Sequence, residues 1–132
     1  MRRLVLTGFL VAGLTSSGAV QAQEAAKGSA EPKFMTTYDM RQQAGRELEA
    51  AEAELEKVLS KLRSLLYEEA QKKKLQSSQD AWLNYRKLNA DFEAFFWEGG
   101  TGKPQIHLRA ITLMTKSRTA ELQRIIDENF GH

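Results

Sequence analysis

The sequence contains no cysteine. That absence excludes a disulfide framework, a thiol nucleophile and thiolate ligands for zinc. It also excludes lipid attachment: Val11-Ala12-Gly13 resembles the start of a lipoprotein signal, but Leu14 stands where the acylated cysteine would be. Histidine is almost as scarce, with only His107 and His132, which have no metal-ligand spacing. The prolines are Pro32 and Pro104, and neither Pro nor Gly interrupts the stretch from Arg46 to Glu98. A run that long without a breaker is helical territory. No strand-like alternation and no internal repeat is visible. No serine sits in a nucleophile elbow. Gly99-Gly100-Thr101-Gly102-Lys103 has the look of a phosphate-binding loop but fails its pattern. Trp97 occupies the place of the first glycine, Pro104 replaces the magnesium-binding hydroxyl, and a helix precedes the loop where a strand is required. The chain is therefore read as a non-enzyme that needs neither cofactor nor metal.

What is present begins with an address. Arg2 and Arg3 form a positive start, Leu4 to Leu14 is largely apolar, and Val20-Gln21-Ala22 places small residues at −3 and −1. This is the pattern of a cleaved secretory signal over residues 1–22, and the apolar run is too short and too hydroxyl-rich for a membrane span. The arginine pair is ordinary in such a segment and does not decide between export routes. The expected product is periplasmic, with no membrane insertion after cleavage. Cleavage also changes the charge: of 19 Lys+Arg against 17 Asp+Glu, Arg2 and Arg3 leave and the remainder balances. A neutral product gives no reason to expect nucleic acid as a partner. The mature chain is long enough to bury about 65% of its surface in one modest core.

Residues 23–36 read as a flexible leader rich in Ala, Gly, Ser and Glu, followed by a helical domain over residues 37–130. The first helix is expected to start near Thr37 as its N-cap, with Asp39 in the first turn. Ala44, Leu48, Ala51, Leu55, Val58, Leu62 and Leu65 alternate spacings of four and three, a heptad seam that Leu59 and Leu66 widen. Gly45 weakens its first turns. The second helix carries Leu75, Trp82, Tyr85, Phe92 and Phe96, with Leu88 and Phe95 beside them, and this aromatic stripe is expected to face the core. A single helix through both would be about 90 Å long and could not bury its own stripe, so a turn is placed near Leu66–Glu69. Gly99 to Pro104 breaks the chain again. The last helix starts at Pro104, runs to about Asn129, buries Ile111, Met114, Leu122 and Ile125, and has Gly131 just past its end. The fold class is all-α, an antiparallel three-helix hairpin or bundle.

Two arginines fall near that core. Trp82, Tyr85 and Arg86 lie within about one turn of each other. They read as Trp and Tyr packed inside, with Arg86 held by a carboxylate of the first helix or by carbonyls of the glycine loop. Arg118 is in phase with Leu122, and a buried arginine needs a carboxylate or several carbonyls. Glu52 and Glu56 are the expected partners.

The ordered set Gln79-x-x-Trp82-x-x-Tyr85-Arg86, Gly99-Gly100-Thr101 and Thr115-x-x-Arg118 with Glu121-Leu122 resembles the LprI-type lysozyme inhibitor domain of exported bacterial proteins. The resemblance spans roughly Tyr38 to Ile126. It implies a helical, exported protein that binds and inhibits vertebrate-type lysozyme. It makes Gln79, Trp82, Tyr85, Arg86, Thr115 and Arg118 a structural signature. Relatives usually carry cysteines where this chain has Gln43, Ala90 and Ala110, and Ala90 and Ala110 would then face each other across the last two helices. Glu52 and Glu56 replace an Asp and an Asn of the family pattern.

A lysozyme cleft holds two catalytic carboxylates in a strongly basic protein. An inhibitor therefore needs an acidic docking surface, a cationic or polar probe, or both. Glu49, Glu52 and Glu56, with Glu47 and Glu54 nearby, supply acid on the first helix. The loop Gly99, Gly100, Thr101 with Lys103 at its exit supplies the probe. The expected function is stoichiometric occlusion of lysozyme. The other reading is a cell-envelope adaptor that binds a different protein through its helices. Aromatic residues as dense as Tyr85 to Trp97 suit a dimer interface as well as a core.

Overall fold

The computed structural model describes residues 34–131. The signal segment, and the leader up to residue 33, lie outside the described residues. Three helices follow in order: α1 (Thr37–Leu65), α2 (Glu69–Phe95) and α3 (Lys103–Phe130). Two hairpin turns make α2 antiparallel to its neighbours and bring α1 and α3 into the same direction. Gln105 on α3 donates to the Thr37 carbonyl at 3.1 Å, tying start to start. α3 packs against both other helices.

α1 begins with a capping box one residue earlier than the sequence suggests. The N-cap is Thr36: its hydroxyl accepts from the Asp39 amide at 3.1 Å, and the Asp39 carboxylate accepts from the Thr36 amide at 3.0 Å. The reciprocal pair needs its acid three residues on, which Thr36 has in Asp39 and Thr37 does not. Those hydrogen bonds hold the Asp39 carboxyl below the usual carboxylate range. The cap is therefore present above that range and is lost as pH falls through the lowered value. The heptad seam of α1 buries Ala51, Leu55, Val58, Leu59 and Leu62. Its end positions Ala44, Leu48 and Leu65 are half-buried.

Gly45 lies in the interior of α1, and a Cβ built there meets nothing within 4 Å. Gly45→Ala should therefore raise stability by about 0.5–1 kcal/mol, since alanine restricts the unfolded chain and fits the helix. Urea denaturation of the two proteins side by side checks this, and a destabilised variant would show that the position is closed to a methyl group.

α1 is capped by Leu66, whose amide donates to the Arg63 carbonyl, and Glu68 caps α2 without a side-chain bond. The turn therefore falls where it is expected. The main apolar cluster lies at this end of the molecule: Leu55, Val58, Leu59 and Leu62 pack with Leu122 and Ile126, flanked by Leu65, Leu66, Leu75, Trp82 and Ile125. The other end is built on small residues. Ala90 and Ala94 of α2 and Ala110 of α3 are buried, as is Ala51 of α1.

That choice of residues corrects the reading of α2. Its buried positions are Gln79, Ala90 and Ala94, with Leu75, Trp82 and Arg86 half-buried. Tyr85, Leu88, Phe92, Phe95 and Phe96 are 58–70% exposed. The inward stripe at 75, 79, 82, 86, 90 and 94 is small or polar along much of its length. Small residues let α3 approach closely, and the bulky rings fall on the opposite flank. α3 also buries a face shifted from the expected one. Leu122 is buried, but Ile111, Met114 and Ile125 are only half-buried, and Ala110, Thr112, Thr115, Arg118 and Ile126 complete the inner surface.

Candidate functional site

The signature residues converge on Trp82, except for one. Arg86, on α2, reaches both other helices: its Nη1 donates to Glu52 on α1 at 3.0 Å and to the Thr115 hydroxyl on α3 at 2.9 Å. Thr115 is fully buried, and its hydroxyl donates in turn to the Ile111 carbonyl at 2.8 Å. Arg118, on α3, crosses to α2. It donates to Gln79 Oε1 at 3.3 Å and to the Ser78 hydroxyl at 2.9 Å, and it pairs with Glu121 at 2.7 Å. Both guanidinium groups lie by the indole of Trp82, at 5.0 Å for Arg86 and 5.9 Å for Arg118. Cations within about 6 Å of a ring centroid are attracted by its quadrupole. Gln79, Trp82, Arg86, Thr115 and Arg118 thus form one polar knot joining three helices. Tyr85 is left out and faces solvent.

Part of this geometry matches expectation and part corrects it. Arg86 takes its carboxylate from α1, as the sequence suggests. Arg118 does not: its partners are Gln79, Ser78 and Glu121 rather than Glu52 or Glu56. α1 presents Glu52 to Arg86, which lies farther along the bundle, and Glu56 turns to Arg63 at 3.0 Å and to the Ser60 hydroxyl. The knot opens on one side into a shallow groove between α1 and α2, lined by Glu52, Glu56, Arg63, Gln76, Gln79 and Arg86 among others.

The acidic stripe of α1 is therefore partly committed to the fold. Glu52 and Glu56 hold arginines, while Glu49 is exposed and makes no ion pair among the described residues. The glycine loop sits at the opposite end from the leucine core. Gly99 has φ of 76°, a left-handed conformation that suits glycine. Thr101 and Gly100 are exposed. Lys103 is paired with Glu98 across the loop. Glu98 is a partner that the sequence reading missed; its position five residues from Lys103, on the other side of a tight loop, is the signal that could have found it.

Beside the loop, Asp91 accepts from Lys87 at 2.8 Å and lies 3.0 Å from His107 Nε2. Lys87, then His107, hold its carboxyl below the ordinary range. Among the described residues no three His, Cys, Asp or Glu side chains are placed to hold a metal ion. No helix there is long and apolar enough to cross a membrane.

Comparison with known proteins adds one match. The family model described as lysozyme inhibitor LprI aligns with residues 28–122. No curated protein and no solved structure matches.

Proposed function

This chain belongs to the lysozyme inhibitor LprI family, and from that premise we propose that it is exported to the periplasm and binds vertebrate-type lysozyme by stoichiometric occlusion. The family match over most of the domain is the observation that carries this reading. The domain is residues 37–130, released with its leader after loss of the signal at 1–22.

The glycine loop is the proposed probe. It projects at the end of the bundle away from the leucine core. Its glycines allow the backbone to come close to a partner. Lys103 would exchange Glu98 for a carboxylate of the lysozyme cleft. The Lys103–Glu98 pair is largely exposed, and such pairs contribute only about 0–1 kcal/mol, so breaking this one costs little. Glu49, exposed on α1, would supplement the docking with acid against a basic protein.

The test is a turbidity assay of lysozyme acting on bacterial cell walls. Purified mature protein is expected to inhibit at near-equimolar ratio, and added salt should weaken the effect because ~0.15 M salt screens beyond about 8 Å. Lys103→Glu should weaken inhibition without changing helicity or melting. Glu98→Gln, which frees Lys103, should strengthen it. Equal inhibition by all three proteins would move the site from the loop to α1. No inhibition by wild type at any ratio would favour the envelope-adaptor reading.

A further inference from the structure

The aromatic residues are distributed against the usual rule. Aromatic side chains ordinarily dominate cores. Here every described Phe and Tyr is exposed, and Trp82 is the aromatic residue drawn inside. Several of the exposed ones fall on one flank of α2. Tyr85, Leu88, Phe92 and Phe95 follow spacings of three, four and three. Phe96 packs edge-on against both Phe92, at 5.2 Å between ring centroids, and Phe95, at 6.0 Å. Leu113 of α3, 54% exposed, lines a shallow hollow with Phe96 and extends the patch onto the next helix.

We propose that this face of α2 is a self-association surface, covered in solution by the same face of a second copy of the chain in an isologous, two-fold dimer. Its extent supports this. An aromatic side chain can bury ~150–250 Å². Six residues left more than half exposed therefore offer roughly 600–800 Å², above the ~300–600 Å² of the largest patch usual on a monomer and near the ~800 Å² each partner gives to a standard interface. Its spacing supports it as well. A three-four-three seam is the spacing by which helices pack side by side. Its charge separates this partner from the proposed lysozyme target. The seam itself carries no ionised side chain; Asn84, Asn89 and Asp91 stand on its flanks, and Glu93 and Arg109 line the hollow beside Phe96 and Leu113. An uncharged seam with both signs of charge at its rim favours no strongly basic partner and does not repel its own copy.

This inference does not depend on lysozyme binding, and its test does not use lysozyme. The mature chain is expected to sediment at twice its monomer mass at tens of micromolar. Phe92→Asp and Leu88→Glu should each sediment as monomers at the same concentration, with unchanged helicity and, at sub-micromolar concentration where association adds nothing, unchanged melting, because both residues are exposed and contribute little to the monomer core. Since the chain has no cysteine, single introduced thiols report contact directly. Leu88→Cys should give a cross-linked dimer in high yield with a short bifunctional maleimide. Tyr67→Cys, at the far α1–α2 turn and 88% exposed, should give little. A monomeric wild type, a dimer that survives Phe92→Asp, or equal cross-linking at positions 67 and 88 would each overturn the proposal.

Discussion

Replacing Arg118 by alanine is expected to destabilise the protein by about 2–4 kcal/mol, read as a shift in the urea midpoint. Arg118 is 7% exposed and makes three side-chain hydrogen bonds besides its contact with Trp82. The cost does not come mainly from its ion pair. Glu121 is half exposed, so after the substitution it turns to water. Gln79 has no such escape. It is buried, and its carbonyl oxygen would lose the guanidinium that satisfies it. An orphaned buried acceptor costs ~1–3 kcal/mol, and the lost packing against the indole adds to that. Arg118→Lys should recover only part of the loss, because an ammonium cannot reach Gln79, Ser78 and Glu121 in the planar fork that a guanidinium provides. Arg86→Ala should cost less, about 1–2 kcal/mol, since Glu52 is half exposed and Thr115 keeps its bond to Ile111. An Arg118→Ala protein as stable as wild type would mean that the knot around Trp82 does not hold the helices together.

The contrast between the two arginines shows where sequence reading succeeds and where it stops. That Arg118 points inward follows from its phase with Leu122, a local property of one helix. Which groups receive it depends on how α2 slides along α3, and no residue of α3 encodes that register. α1 was legible for the same local reason: its leucines repeat in threes and fours, and it buries the middle of that repeat while Ala44, Leu48 and Leu65 at its ends are half-buried. Both turns were legible because an unburied apolar stripe forces one and glycines force the other. The LprI signature was also legible, and its members meet in space apart from Tyr85.

α2 was not legible in the same way. It carries two stripes of helical period, and hydrophobicity alone selects the wrong one. The aromatic stripe is the more apolar. The stripe containing Gln79, Arg86, Ala90 and Ala94 is the one that fits against its neighbours. Side-chain volume decides between them. Alanines at 90, 94 and 110 allow α2 and α3 a close approach that a row of phenylalanines would block. Ala90 and Ala110 are both buried, one on each of these two helices. A chain that lacks a covalent staple at such a place, and keeps its aromatic rings outside, rests its stability on a small aliphatic core.

That core sets the second large effect. Leu122→Ala is expected to cost about 2–5 kcal/mol, the range for truncating a fully buried leucine. Leu122 is 1% exposed and belongs to the cluster that joins Leu55, Val58, Leu59 and Leu62 of α1 to Ile126 of α3. Its side chain projects from α3 between the leucines of another helix, so the space it leaves cannot close without moving α1 against α3. For a domain of this size total stability is on the order of 5–10 kcal/mol, so the variant would lose a large fraction of it. No disulfide restrains the unfolded chain to soften the loss. Leu113→Ala is the matched control. It removes the same atoms from the same helix but at an exposed position, and should change monomer stability by less than about 0.5 kcal/mol. Because Leu113 lies in the proposed dimer patch, both variants are best compared at sub-micromolar concentration, where association adds nothing to the apparent stability. If the two substitutions cost the same there, the leucine cluster is not the centre of the fold, and the stability of the bundle must come from the alanine-lined end.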